Sequence, residues 1–267
     1  MNPERFALLR RALSGRLISA LVRLFDGLGS WHRLDAQRFA RQAVPMVEGA
    51  QTSLATLTSN FVASQASVAL RTTVAPPPIP RTARARLRFV DPTEVYQRAF
   101  VEAYTALADG KRLNEALGRA RVRLREVAEA DLQQTYAEAS RAAMQGLRED
   151  QRPTGWRRVL QGAESCAMCV IASTQRYHIA DLNPIHPHCD CTVEPIYGPI
   201  EDRVIEPQLL EQVHAAVRDL TGVEDRGSRA VDYRHIMTQI INNHGETGPM
   251  LSRPGDRFQG PIRTTAL

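Results

Sequence analysis

The chain has 267 residues, of which 43% are hydrophobic and 24% are charged. A chain of this length and composition can bury a substantial core, which excludes a disordered tail or a fibre. The net charge of +5 and the pI near 9.3 are compatible with a polyanionic partner. Lys111 is the single lysine, so almost all basic residues are arginines. The preferred interpretation is codon bias in a GC-rich genome, and the alternative is phosphate recognition by arginine.

The first part of the chain predicts amphipathic helices. Phe6 and a series of leucines recur at three- and four-residue steps over residues 4–28, with arginines opposite. A second helical stretch is predicted from about Trp31 to Leu70. It should be interrupted or kinked near Pro45, because proline lacks the amide that the helix ladder needs.

A proline-rich segment at 75–80 predicts an extended spacer, and residues 75–90 are a candidate linker. Four arginines follow the prolines: Arg81, Arg84, Arg86 and Arg88. The preferred interpretation is a solvated loop or strand edge, and the alternative is an arm that binds phosphate or a partner.

Two further helices are predicted after the spacer. Asp91-Pro92-Thr93-Glu94 has the capping acid and first-turn proline of a helix start. This helix should end at about Ala108 and the next should run from Leu113 to Met144. The composition changes near residue 150, so residues 1–150 are predicted to form a helical domain.

From Thr154 onward, short β-prone runs replace the long helices, at 155–160, 177–179 and 192–197. Helices are predicted at Pro207 to Leu220 and at Tyr233 to Asn242, and His244 to Leu267 should be extended. The predicted domains are therefore 151–232, a small α+β module, and 233–267, a C-terminal helix with an extended arm.

The chain shows no targeting signal. Arginines interrupt the apolar N-terminal stretch, so a signal peptide is not expected, and there is no apolar run of about 18 residues to cross a membrane. The cysteines are clustered, as in a protein made in a reducing cytosol rather than a disulfide-stapled secreted one.

All four cysteines lie in one window, Cys166-Ala-Met-Cys169 followed by His186-Pro-His188-Cys189-Asp-Cys191. Two thiolates on one side of a tight turn, a spacer, and a second Cys/His cluster are typical of a structural zinc site. Zinc suits thiolate and imidazole ligands, and four protein ligands leave no open position. The alternative is a cluster of reduced or disulfide-bonded cysteines without a metal.

The second half of the window supplies more candidates than a tetrahedral ion needs. If 186–191 is extended, the histidines face one way and Cys189 and Cys191 the other. Either both cysteines complete an all-cysteine site, or a turn at the prolines lets one histidine join one cysteine. The preferred zinc ligands are Cys166, Cys169, His186 and Cys191, with Cys189 as the alternate for Cys191. His188 is placed outside the ligand set.

Enzyme signatures are not found: there is no phosphate-binding glycine loop, no H-E-x-x-H and no G-x-S-x-G. No catalytic or cofactor-binding residues are therefore predicted.

Several segments resemble the phage Mu protein F-like family of minor capsid, or head-morphogenesis, proteins in its actinobacteriophage form. The resemblance rests on Gly155-Trp-Arg-Arg-Val-Leu160, on the cysteine window with Thr192 and Pro195 after it, and on His244-Gly-Glu-Thr-Gly-Pro-Met-Leu251. It covers roughly 154–198 and 233–261. By position it assigns the family's Cys-x2-Cys and His-x2-Cys-x-Cys pattern to Cys166, Cys169, His186, Cys189 and Cys191.

The resemblance implies a minor capsid protein of a tailed phage that acts near the portal in head assembly or DNA packaging. Its partners would be the portal protein and the major capsid or scaffold protein, with phage DNA as a further contact and no membrane. It would reside in the host cytoplasm during assembly and then in the virion. Some relatives are described as capsid maturation proteases, which is the enzyme alternative, and a zinc-dependent nucleic-acid-binding or nuclease module is the second alternative.

The predicted fold class is thus mainly α. A helical assembly should be followed by a small zinc-stabilised α+β module and an extended C-terminal arm.

Overall fold

A computed structural model of the protein describes residues 1–80, 90–161, 164–182, 191–199, 202–222, 237–239 and 250–252. Over these residues the protein is mainly α-helical, with short antiparallel strands in its later part. The prediction of a mainly α protein is confirmed at this level. The chain divides into two compact units, the first formed by Met1–Arg152 and the second beginning at Pro153.

The first unit contains four long helices: α1 (Pro3–Asp26), α2 (Arg33–Leu70), α3 (Pro92–Ala108) and α4 (Leu113–Gly146). Their starts follow from local chemistry. The Asn2 side chain accepts a hydrogen bond from the Arg5 amide at 2.8 Å, and Asp91 Oδ1 accepts one from the Thr93 amide at 2.8 Å. Each cap satisfies an amide that has no partner within its helix.

Helix α2 continues through Pro45, so the predicted interruption is wrong. Pro45 lies on the exposed side of the helix. There, the carbonyl of Arg41, which would have bonded the missing amide, can turn towards water. A proline at an exposed position therefore costs the helix one hydrogen bond without leaving a buried polar group.

Aromatic side chains fix how α1 lies on α2. The buried Phe6 stacks on Phe61 with ring centroids 4.3 Å apart. At the other end of α1, Phe25 meets Phe39 at 5.9 Å and Phe100 at 5.2 Å. The start of α1 thus lies against the later part of α2, and the two helices are antiparallel.

Alanines make up much of the buried surface of α2 and α4, two helices that contact each other, and we call these residues the alanine seam. Six of the buried positions of α2 and six of those of α4 are alanines: Ala36, Ala40, Ala43, Ala55, Ala63, Ala66, Ala116, Ala120, Ala128, Ala137, Ala139 and Ala143. The core of the first unit therefore combines a few large aromatic rings with many small side chains.

A buried polar pair connects α3 and α4. The hydroxyl of Tyr96 donates a hydrogen bond to Asp131 Oδ2 at 2.8 Å, and both residues are almost completely buried. A buried carboxylate needs such a donor, because leaving it without one carries the full cost of its desolvation.

The second unit contains two small antiparallel sheets. In the first, β1 (Gly155–Val159) lies between β3 (Arg176–Tyr177) and β4 (Thr192–Ile196). In the second, β5 (Met237–Gln239) lies between β2 (Glu164–Cys166) and β6 (Met250–Ser252). Each strand of the first sheet lies in one of the β-prone runs or begins one residue before it.

Two helices complete the second unit, α5 (Ala167–Ser173) and α6 (Pro207–Thr221). They pack through the buried side chains of Ala167, Val170, Val213 and Val217. Helix α6 ends at Gly222, which has a φ of 71° and donates its amide to the Arg218 carbonyl at 2.7 Å. Glycine adopts this left-handed conformation without strain.

The predicted helix from Tyr233 to Asn242 is wrong at Met237–Gln239, which form β5. The apolar residues Ile236, Met237 and Ile240 have helical spacing, but pairing with β2 and β6 selects the extended conformation. The arginine group at 81–88 lies outside the described residues.

None of the helices in the described ranges is long and apolar enough to cross a membrane.

Candidate metal centre

The first sheet positions Cys191. This residue directly precedes β4, whose Thr192 pairs with Val159 of β1. The Gln161 side-chain amide donates to Thr192 Oγ1 at 2.9 Å and fixes the same end of the strand. Cys191 is 4% exposed, so its thiol faces the interior of the second unit.

Trp156 is the anchor of this sheet. It is fully buried, its ring stacks on Tyr177 at 4.7 Å, and its Nε1 donates to the His178 carbonyl at 2.8 Å. The Arg158 guanidinium lies 4.9 Å from the centre of the indole, a favourable cation–π distance. Since Trp156 touches both β3 and the residue after it, it holds the edge of the sheet in place.

Gly155 allows β3 to approach β1 closely. A Cβ atom at this position would lie 2.7 Å from the Tyr177 carbonyl oxygen and 2.9 Å from Arg176 Nε. Any larger residue would therefore push β3 away from the sheet.

The Cys166-x2-Cys169 pair lies where β2 leads into α5. The backbone of Cys166 ends the strand, and Cys169 occupies the first turn of the helix, where it is 4% exposed. The prediction of a tight turn is therefore wrong. Ala167 and Val170 pack against α6, and this burial favours a helical turn over a knuckle.

Tyr177 lies between the two cysteine-bearing segments. Its hydroxyl donates to the Ala172 carbonyl, in α5, at 3.0 Å. Burial raises the pKa of Tyr177, the nearby Arg158 and Arg203 lower it, and the negative form of Cys191 raises it. The same tyrosine thus bonds to the helix that carries Cys169 and interacts electrostatically with Cys191.

The structure therefore describes two of the five predicted ligands in full, Cys169 and Cys191, and the backbone of Cys166. His186 and Cys189 lie outside the described residues, as does the side chain of Cys166. Among the described side chains, no group of three or more His, Cys, Asp or Glu residues could hold a metal ion. The ligand set stays a prediction.

Burial restricts the chemical roles that the thiols of Cys169 and Cys191 can have. A cysteine nucleophile needs access to its substrate, and a cysteine that is 4% exposed does not have it. A buried thiol can instead serve as a structural metal ligand.

Two contacts of the second unit were not predicted from the sequence. Tyr177 pairs with Trp156 across 21 positions of the chain, and no local pattern marks that pairing. Arg157 forms an ion pair with Glu194 opposite it on β4 at 2.6 Å and a second with Glu206 before α6 at 3.6 Å. The two adjacent arginines of β1 do not indicate these partners.

Comparison with protein-family models, with curated proteins and with solved structures gives no significant match to this chain.

Proposed function

We propose that the protein is a minor capsid, or head-morphogenesis, protein of a tailed phage, which acts near the portal during head assembly or DNA packaging. The observation that carries the proposal is the Cys/His window, whose described cysteines are buried in a small α+β unit that follows a helical one. A window of this spacing in such a unit resembles the Mu protein F-like family. The burial of its described cysteines suits a role in stabilising the fold rather than in catalysis.

The proposal includes one structural zinc ion bound by the Cys/His window. Cys166, Cys169, His186 and either Cys191 or Cys189 would hold it, and the ion would fold the segments of the window together. The burial of Cys169 and Cys191 supports this role, because buried cysteines are inert as nucleophiles and can serve as metal ligands. The burial of both thiols also speaks against a cysteine protease at this position.

The metal is tested on the purified full-length chain by elemental analysis and by unfolding after chelation. We expect about one zinc per chain, and the second unit should lose stability when zinc is removed, because a folding-coupled ion contributes directly to the free energy of folding. Cys169→Ser should abolish the zinc. A metal-free chain that keeps its fold would contradict the zinc site.

The function is tested by quantitative mass spectrometry of phage particles purified from a host that produces this protein. We expect a few copies per particle, with the portal protein as the neighbour found by crosslinking. Absence from intact particles would refute a minor capsid role. Cleavage of the major capsid protein that depends on this chain in co-expression would instead support the protease.

A further inference from the structure

An apolar groove of about 500 Å³ runs along the surface between α1 and α2. We propose that this groove binds an amphipathic helix with an acidic flank, supplied by a partner protein. The inference concerns the first unit and does not rest on the proposed function.

The α1 side of the groove is a row of side chains at a four-three-four spacing, Leu9, Leu13, Arg16 and Ala20, with the buried Leu17 beside it. Side chains at this spacing lie on one face of a helix. The row borders the core face of α1, which includes Phe6, Leu17 and Leu21, and Leu17 lies where the two meet. Leu9 is 40% exposed although it is a leucine in a regular helix.

The α2 side repeats the same spacing with Met46, Ala50, Ser53 and Leu57. Because the helices are antiparallel and Phe6 stacks on Phe61, Leu9 lies at the Leu57 end of the groove and Ala20 at the Met46 end. The two rows are therefore in register along their whole length.

Two rows of this kind form a groove that can bind a third helix. Side chains of an incoming helix fit as knobs into holes between facing residues that repeat every three or four positions. The small Ala20, Ala50 and Ser53 leave room for them. The row from Leu9 to Ala20 is about 16 Å long, so the occupant needs at least about three helical turns.

The charge of the residues around the groove further restricts which helix can bind there. Arg16 lines the groove, and Arg5 and Arg23 stand on the same edge of α1, since separations of 11 and 7 residues bring a helix back to within about 20° of the starting direction. All three are exposed. They form a basic border along one side of the apolar row.

The acidic residues of the two helices, both described in full, do not balance this border. Asp26 pairs with Arg121 at 2.8 Å, and Asp35 accepts hydrogen bonds from Ser30 and from the His32 amide. Glu4 is twelve residues from Arg16 and so points about 120° away from it around α1. Glu48 is two residues from Met46 and so points about 200° around α2 from the groove. An acidic flank on the occupant would meet the arginine border with complementary charge.

The shape of the surface distinguishes this occupant from other polyanions. A membrane surface favours a convex helix face with an apolar stripe, whereas these rows line a concavity between two helices. Nucleic acid is bound mainly through contacts between basic side chains and phosphates, which would leave the apolar row without a partner. A helix inserted in a groove satisfies both features together.

The test uses the full-length chain and a labelled synthetic helix of about four turns, with leucines at four-three-four spacing and glutamates beside them. Fluorescence anisotropy measures its binding against two matched peptides, one with lysine in place of glutamate and one with the same residues scrambled. We expect the glutamate peptide to bind most tightly and the scrambled peptide not to bind.

Two pairs of variants locate the site. Leu9→Asp should weaken binding by about tenfold or more, because it places a charge in the apolar row, whereas Leu8→Asp, next to it and 60% exposed outside the groove, should leave binding unchanged. Arg16→Glu should invert the preference between the glutamate and lysine peptides, whereas Arg98→Glu on α3 should not. Circular dichroism of each variant establishes that its helices are intact.

Equal effects of Leu8→Asp and Leu9→Asp, or a peptide preference that ignores Arg16→Glu, would overturn the proposal. Binding of anionic vesicles or duplex DNA that Leu9→Asp weakens, while peptide binding is unaffected by Leu9→Asp, would also overturn the proposal. Self-association that disappears in Leu9→Asp would identify a second copy as the occupant and overturn the proposal as well.

Discussion

Replacing Trp156 with phenylalanine should destabilise the second unit and leave the first unchanged. The indole is fully buried, stacks on Tyr177, and donates from Nε1 to the His178 carbonyl at 2.8 Å. Phenylalanine keeps a stacked ring but loses the donor and part of the buried surface. The His178 carbonyl then lacks its partner on the inner side of the sheet.

The magnitude follows from these two losses. The hydrogen bond contributes about 1 kcal/mol, and about two buried carbon atoms of the indole contribute about 0.8 kcal/mol each. We therefore expect Trp156→Phe to lower the free energy of opening of the first sheet by about 2–3 kcal/mol.

Hydrogen exchange followed by mass spectrometry resolves the two units. At 1.4 kcal/mol for each factor of ten, the amides of β1 and β4 should exchange about 30- to 150-fold faster in Trp156→Phe, with α2 and α4 unchanged. Trp31→Phe is the matched control, since Trp31 is the other tryptophan and belongs to the first unit. If the amides of β1 and β4 accelerate by less than about threefold, the anchoring role of Trp156 is refuted.

Three further predictions follow from single contacts. Tyr96→Phe removes the hydroxyl that donates to Asp131 and should lower the free energy of unfolding of the first unit by about 1.5–3 kcal/mol in urea titrations monitored at 222 nm; an unchanged midpoint would show that the pair contributes nothing. Gly155→Ala places a Cβ 2.7 Å from the Tyr177 carbonyl and should cost about 1–3 kcal/mol, read as faster amide exchange in β3; normal protection there would contradict the close approach. Burial raises the pKa of Tyr197 to about 12, so the unfolded chain ionises first and stability should fall as the pH rises from about 10 to 12. Ultraviolet titration should show tyrosines that ionise late, and Tyr197→Phe should remove one of them; a titration identical to that of the unmodified chain would exclude the assignment.

The long helices could be predicted because their signals are local. Apolar spacing along α1 and the capping side chain of Asp91 each act within a few residues, and the structure places the helices there. The end of α3 was equally visible, since Gly110 adopts a φ of 78°, which glycine tolerates best.

The contacts of the second unit could not be predicted in the same way, because they join distant parts of the chain. Nothing near Trp156 specifies Tyr177 as its partner, and Met237–Gln239 has helical spacing until β2 pairs with it. The sequence predicts that Cys169 and Cys191 belong to one site, and the structure shows that both are buried in the second unit. Their ligation of zinc and the phage-head family stay predictions.

The alanine seam restricts which substitutions the first unit can accept during evolution. A residue larger than alanine at Ala43 or Ala139, both 0% exposed, has to displace the atoms packed against it and costs about 1–3 kcal/mol, and glycine costs about 1 kcal/mol through lost helix propensity. Substitutions in either direction are therefore penalised, so the seam keeps alanine at these positions. Variation among related chains should accumulate on the outer faces of the helices, where a partner-binding surface can diverge without altering the packing beneath it.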